Sequence, residues 1–186
     1  MRIVFIGPPG SGKGTQAQRL SDHFGIAHLS TGEMLRDAQA AGSELGQRAA
    51  QYVDAGRLVP DDIVLAVVVQ RLLGPDCAAG CLFDGFPRTV PQAKALDKLL
   101  AERGMALDLV IALEVPENQL KQRLLSRGRR DDNEATIKER FRHHRKLTEP
   151  LIDYYRGRGI LREINGEGTP SEVFERVKQA VQSAVV

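Results

Sequence analysis

The chain has 186 residues, 42% of them hydrophobic, which suits one globular α/β domain with a small insertion or two and excludes a second core. Its 26 basic and 24 acidic residues leave a net charge of +2, too small an excess for a general nucleic-acid or membrane surface, so anion recognition must be local. No apolar run approaches the length of a membrane span, and the stretch from Met1 to Gly7 is too short for a signal-peptide core, so a soluble, cytoplasmic protein is expected. In chain order, apolar runs at Ile3 to Ile6, Ala27 to Leu29, Cys81 to Phe83, Leu109 to Leu113 and Ile160 to Ile164 read as strands, four of them mostly unbroken by polar residues, as in strands buried on both faces. Helical patterns lie between them: Lys13 to Phe24, two shorter ones from Gly32 to Asp54, Asp61 to Leu73, Val90 to Arg103, Pro116 to Ser126, Glu134 to Arg156 and Pro170 to Ala184. Strands alternating with helices predict a parallel, doubly wound sheet with right-handed crossovers, whose ligands sit beyond the carboxyl ends of the strands. Gly7, Ser30, Asp84 and Pro116 fall at or just after such ends. Cys77 and Cys81 fit neither a disulfide framework nor a four-ligand zinc site and read as reduced, small and apolar.

The most informative stretch is Gly7-Pro8-Pro9-Gly10-Ser11-Gly12-Lys13-Gly14-Thr15, placed after the first strand and before the first helix. Glycines let consecutive N–H groups turn toward an anion, the helix adds the positive end of its dipole, and Lys13 supplies a mobile charge for outer phosphates. A plain strand-to-helix turn needs no lysine and so few consecutive small residues. The segment therefore predicts nucleoside triphosphate binding through Gly10, Ser11, Gly12, Lys13, Gly14 and Thr15. The hydroxyl that usually follows the lysine directly is displaced by one position to Thr15. In that detail GPPGSGKGTQ resembles the loop of nucleoside monophosphate kinases, and of adenylate kinases in particular.

Three further segments extend the resemblance along essentially the whole chain. Ser30-Thr31-Gly32-Glu33-Met34-Leu35-Arg36 opens with a helix-capping pattern, Gly56 to Asp62 reads GRLVPDD, and Asp84-Gly85-Phe86-Pro87-Arg88 ends a strand with Gln92 four residues beyond Arg88. Together with RGRRDDN from Arg127 they resemble adenylate kinase. The resemblance implies a phosphate-loop three-layer fold with a five-stranded parallel sheet, a helical AMP-binding insertion over 30–59 and a short lid over 127–133, on a core of 1–29, 60–126 and 134–186. It implies that Arg36 and Arg88 hold the AMP phosphate, that Thr31 and Gln92 contact its adenine, and that Arg57, Leu58, Val59, Gly85, Phe86 and Pro87 line the pocket. The residue chemistry agrees: a glutamine amide offers one donor and one acceptor to adjacent groups on adenine, and arginine offers a planar fork to phosphate oxygens. The uridylate and cytidylate kinase group resembles alanine and asparagine at the positions of Thr31 and Gln92, and this chain takes the adenylate choice at both.

Arg123, Arg127, Arg129, Arg130 and Arg140 cluster around Asp131, Asp132 and Asn133. Alone, such a run reads as a solvated face or a nucleic-acid contact. By resemblance Arg123 packs near the ATP base, Arg127, Arg129 and Arg140 reach phosphates of the two nucleotides, Gly168 meets the ATP base through its backbone, and Arg130 is exposed. Only Gly128 separates Arg127 from Arg129, so the lid is the short form and has no room for a structural zinc site. His143 and His144 are expected at the surface, and His23 and His28 are given no role. The expected reaction is reversible, magnesium-dependent phosphoryl transfer from ATP to AMP giving two ADP, with Lys13, Arg88, Arg127, Arg129 and Arg140 as the catalytic group, and Thr15 and, through water, Asp84 as metal contacts. The nucleophile is an ionised phosphate oxygen, which needs no general base. A GTPase-like switch is disfavoured because the chain lacks the Asn-Lys-x-Asp guanine-reading motif. A nucleic-acid-dependent ATPase is disfavoured by the near-neutral charge and 5% aromatic content. A monomer without nucleic-acid or membrane partners is expected.

Overall fold

A computed structural model of the chain describes residues 1–55, 57–128 and 132–184, the side chain of Arg127 excepted. Among these, five strands form one parallel sheet: β1 (Arg2–Ile6), β2 (Ala27–Ser30), β3 (Cys81–Asp84), β4 (Leu109–Glu114) and β5 (Leu161–Asn165), in the spatial order β2-β3-β1-β4-β5. The helices are α1 (Lys13–Phe24), α2 (Thr31–Ala40), α3 (Glu44–Asp54), α4 (Asp61–Leu72), α5 (Val90–Ala101), α6 (Glu117–Arg127), α7 (Glu134–His143), α8 (Pro150–Arg156) and α9 (Pro170–Ala184).

Alternation along the strands decides the layering, because successive side chains point to opposite faces of the sheet. Val4, Ile6, Phe83, Val110 and Ala112 face a core shared with Val64 and Val68 of α4, Leu96 and Leu100 of α5, and Tyr155 of α8. Ile3, Phe5, Leu82, Leu109, Ile111 and Leu113 face the other way, onto Ala17 and Leu20 of α1 and Val173, Val177 and Val181 of α9. Burial on both faces explains why these strands read as unbroken apolar runs. The register sets Phe5 and Ser30 opposite Asp84, and Ile6 opposite Ala112. The carboxyl ends of β1, β2 and β3 therefore finish level with one another. From β1 the chain winds toward β2 and β3 on one side and later toward β4 on the other, which opens a crevice at that end of the sheet.

The two helices expected between Gly32 and Asp54 form a packed hairpin. Ser30 caps α2 by accepting from Glu33 N, and Ser43 caps α3 by accepting from Gly46 N at 3.1 Å. Gly46 lets the two helices meet: a Cβ there would lie 2.1 Å from Ala38 O. One expectation fails. The stretch from Glu134 to Arg156 is not one helix but α7, a π-helical turn over His144–Thr148, and α8. Pro150 has no N–H with which to continue the ladder, Glu149 N donates to His144 O five residues back at 3.0 Å, and Thr148 Oγ1 donates to Arg88 O at 3.0 Å.

Gly46→Ala is expected to lower unfolding stability by about 1–3 kcal/mol, since the added methyl has to displace backbone; denaturant melts of the purified variant against the parent check it.

Candidate active site

The glycine loop leaves β1 and enters α1 at the crevice. Gly10 has φ 83°, and a Cβ there would lie 2.9 Å from Leu120 O and 3.0 Å from Leu124 Cγ, so the loop rests directly on α6. Gly12 is the N-cap of α1 and supplies no side-chain acceptor, so the first N–H groups of that helix are left to a ligand or to water. The Lys13 ammonium curls over the loop, donating to Gly7 O at 2.7 Å and Pro8 O at 2.8 Å. Ser11 is buried, while Gly14 and Thr15 are exposed at the start of α1.

Across the crevice, the ends of β2 and β3 hold a second set of groups. Thr31 Oγ1 donates to Asp84 O at 3.2 Å, tying the start of α2 to β3. His28 Nε2 lies 3.5 Å from Asp84 Oδ2, with both side chains largely enclosed. Burial pushes the Asp84 carboxyl up, but the adjacent His28 ring and the charges of Lys13 and Arg88 outweigh it and leave its pKa below the ordinary value. Arg88 donates through Nε to Gly85 O at 2.7 Å. Arg88 opens onto the cleft but is ringed by protein; that crowding lowers its pKa, Asp84 opposes this, and the like charges of Arg140 and Arg36 add to it, and the guanidinium remains charged.

The Gln92 amide has a defined orientation. Its Oε1 accepts from Arg88 N at 2.7 Å and its Nε2 donates to Asp61 Oδ1 at 2.6 Å, so oxygen and nitrogen cannot be exchanged. One N–H and one lone pair remain for a base edge. From the other side Arg140 reaches in on α7, its NH1 3.0 Å from the buried carboxylate of Asp132.

One cavity of about 790 Å3 joins these pieces. Its lining includes Gly10, Ser11, Gly12, Lys13, Gly14, Thr15, Arg123 and Gly168 on the loop side. Thr31, Arg36, Arg57, Leu58, Val59, Asp84, Gly85, Pro87, Arg88, Gln92 and Arg140 line the rest. Phe86 is not brought to the cavity: it is fully buried in the core beneath, and the Phe86–Pro87 peptide is cis. The side chain of Arg127, together with Arg129, Arg130 and Asp131, lies outside the described residues, as does Gly56. His143 and His144, expected at the surface, instead line the cavity with side chains only 19% and 13% exposed. Burial and the charges of Lys13, Arg88 and Arg145 push the His144 pKa down to about 3, so it is a neutral wall at pH 7.

Sequence reasoning also missed Asp61, His28 and Thr148. For His28 a signal was present, since alternation along Ala27-His28-Leu29 turns it away from its apolar neighbours. Asp61 and Thr148 act through partners remote in sequence and left no local trace.

Fold and cavity together define a phosphate-loop α/β protein whose ligand cleft is basic on both sides. The family model described as adenylate kinase matches residues 5–160. The chain is 48% identical to an adenylate kinase of Leptospira biflexa over 184 residues, covering 97% of this chain and 99% of that protein. It is 48% identical to one of Thermus thermophilus over 183 residues, covering 96% of each. It is 49% identical to one of Mycobacteroides abscessus over 181 residues, covering 97% of this chain and 99% of that protein. The chain belongs to the adenylate kinase family.

Asp84 generates a pH prediction. Its pKa is lowered on folding, so the stability it contributes is fully present above the unfolded value, near 3.8, and is lost as pH falls through the folded one. Asp84→Asn is therefore expected to show a constant stability deficit at neutral pH that shrinks as pH drops below about 4. Parallel denaturant melts of both proteins as a function of pH check this.

Proposed function

We infer that this chain catalyses reversible transfer of the terminal phosphoryl group of ATP to AMP, giving two ADP. The observation that carries the reading is the single cleft in which the glycine loop with Lys13 faces a second basic pocket containing Arg36, Arg88 and the oriented amide of Gln92. A switch or simple ATPase has no use for that second pocket.

In this reading ATP lies along the loop, with its phosphates on the N–H groups of Gly10 to Thr15 and on Lys13, and with its base between Arg123 and Gly168. AMP lies against Thr31, Arg36, Arg57, Leu58, Val59, Gly85 and Pro87, with Gln92 at its base and Arg88 at its phosphate. The insertion over 30–59 covers AMP, and 127–133 is the lid that brings Arg127 and Arg129 onto the phosphates. The AMP oxygen is already ionised, so the side chains need only align the two nucleotides, exclude water and stabilise charge on the transferring group. Lys13 must exchange the carbonyls of Gly7 and Pro8 for phosphate oxygens as ATP enters. Arg88 and Arg140 then neutralise charge between the nucleotides, Arg140 being held in place by Asp132.

Magnesium bound with ATP belongs to this reading, and the groups present suit it. The Thr15 hydroxyl is exposed to the cleft, and Asp84 Oδ2 lies 3.4 Å from where a Cβ on Gly14 would stand. Among the described residues no cluster of three or more His, Cys, Asp or Glu side chains could hold a metal on its own, which fits a small hard cation held mainly by phosphates and water. When bound, it supplies neutralising charge between the outer phosphates. The reading also takes the chain as a cytoplasmic monomer, an expectation from the family. Among the described residues no helix is long and apolar enough to cross a membrane.

A chromatographic assay with ATP and magnesium against AMP, UMP, CMP, GMP or no acceptor tests the reaction; ADP is expected only with AMP, with matching loss of AMP, and phosphate release without an acceptor would overturn the reading. Arg88→Ala is expected to lower kcat by at least about a hundredfold while the fold survives, because it removes charge aimed at the transition state. Gln92→Ala is expected to reduce discrimination among monophosphates more than it weakens ATP binding, as read from KM for each nucleotide.

A further inference from the structure

The turn from Asn165 to Thr169, between β5 and α9, is fastened at almost every residue. Gly166 N donates to Glu114 O, at the end of β4, at 2.7 Å. Glu167 N donates to Asn165 Oδ1 at 2.8 Å. Arg176, from α9, reaches back and donates through NH1 to Asn165 O at 2.6 Å and to Glu167 O at 2.8 Å. Thr169 and Glu172 close the far end as a reciprocal cap, with Thr169 N donating to Glu172 Oε2 at 2.7 Å and Glu172 N to Thr169 Oγ1 at 3.3 Å.

A side-chain link then ties this turn to α6. Gln119 Nε2 donates to Glu167 Oε1 at 2.6 Å, and the other end of the same amide, Oε1, accepts from Arg123 NH2 at 3.4 Å. Gln119 and Arg123 stand one helical turn apart on the same face of α6. Arg123 and Gly168 both line the cavity. The chemistry of the link matters. A carboxylate bonded directly to Arg123 would hold the guanidinium by its edge and cancel its charge, whereas a neutral amide between them transmits position and leaves the planar face and the charge available.

We propose that Gln119, Glu167 and Arg176 are positioning residues for the donor nucleoside. Arg176 holds the carbonyls of the turn, Glu167 and Gln119 hold the turn against α6, and the purine base of the triphosphate is gripped between the backbone at Gly168 and the face of Arg123. This rests on the reading of the α6 and α9 side of the cleft as the ATP side.

The test is steady-state kinetics on the full chain with ATP and AMP varied independently, comparing Gln119→Met, which keeps side-chain length, and Arg176→Met, which keeps an unbranched apolar stem; both lose the donors. Each is expected to raise KM for ATP by about three- to tenfold, the equivalent of one hydrogen bond, with KM for AMP and kcat at saturating ATP within about twofold. Arg176→Lys, whose ammonium can still meet two carbonyls, is expected to recover part of the loss, and the preference for ATP over pyrimidine triphosphates is expected to narrow in both methionine variants. A lowered melting temperature with every KM unchanged would make the links merely structural and overturn the proposal, as would equal rises in KM for both nucleotides. If Arg176→Met does not fold, Gln119→Met decides alone. Arg123→Ala separates the two layers of the argument: if it raises KM for ATP while both methionine variants match the parent, the positioning role falls and the donor-side reading stands. If it instead raises KM for AMP, the assignment of sides falls and the proposal with it.

Discussion

The molecule is organised around an imbalance of charge. Lys13, Arg36, Arg57, Arg88, Arg123 and Arg140 line one cleft, and among the acidic side chains facing them are Glu33 and Asp84. Two like charges about 8 Å apart at an effective dielectric constant near 20 repel by roughly 2 kcal/mol, so gathering this many costs a folded chain a good part of its margin. The protein meets the cost with buried acids set behind the cations. Asp84 lies between Lys13, His28 and Arg88, and Asp132, with its side chain only 1% exposed, holds Arg140. Two phosphorylated nucleotides bring further anions to the same cations, so ligand binding continues the neutralisation that the buried acids begin.

Such a cluster can be assembled only if remote segments end at the same place. The parallel register does this by bringing the ends of β1, β2 and β3 level, and short polar links then fix what the sheet has brought near. Thr31 bonds to Asp84 O, Thr148 to Arg88 O, and Gln92 to both Arg88 N and Asp61. Each link satisfies a backbone or carboxylate group that would otherwise be stranded beside the cleft. Together they tie α2, β3, α4, α5 and the π-helical turn to one another around the cleft.

This arrangement explains what could be read from the residues and what could not. The strands, the glycine loop and the hairpin of α2 and α3 are encoded locally, by apolar runs, by consecutive small residues around Lys13 and by capping serines. The residues expected at the cleft reach it, except Phe86, whose bulk is drawn into the core beneath, and except Arg129 and the side chain of Arg127, which lie outside the described residues. The π-helical turn left no periodic sign, because Glu134 to Arg156 is patterned like a continuous helix and the break depends on Thr148 finding Arg88 O in another segment. That break carries His144 into the cleft, where adjacent histidines in a helical pattern had suggested only surface. The bond of Gln92 to Asp61 and the link of Gln119 to Glu167 span 31 and 48 residues and are legible only in three dimensions.

The last strand has a bearing on how the protein behaves in a crowded solution. β5 closes one side of the sheet, and its outer residues include exposed Arg162 and Glu163, the latter accepting from Arg156 NH2 at 2.9 Å. A further strand laid against this border, from a neighbouring molecule or a partly unfolded one, would have to strip water from those charges. The interior strands are apolar enough to aggregate if they were left at a margin; by ending the sheet with Leu-Arg-Glu-Ile-Asn, the chain gives its hydrogen-bonding border a side that resists propagation.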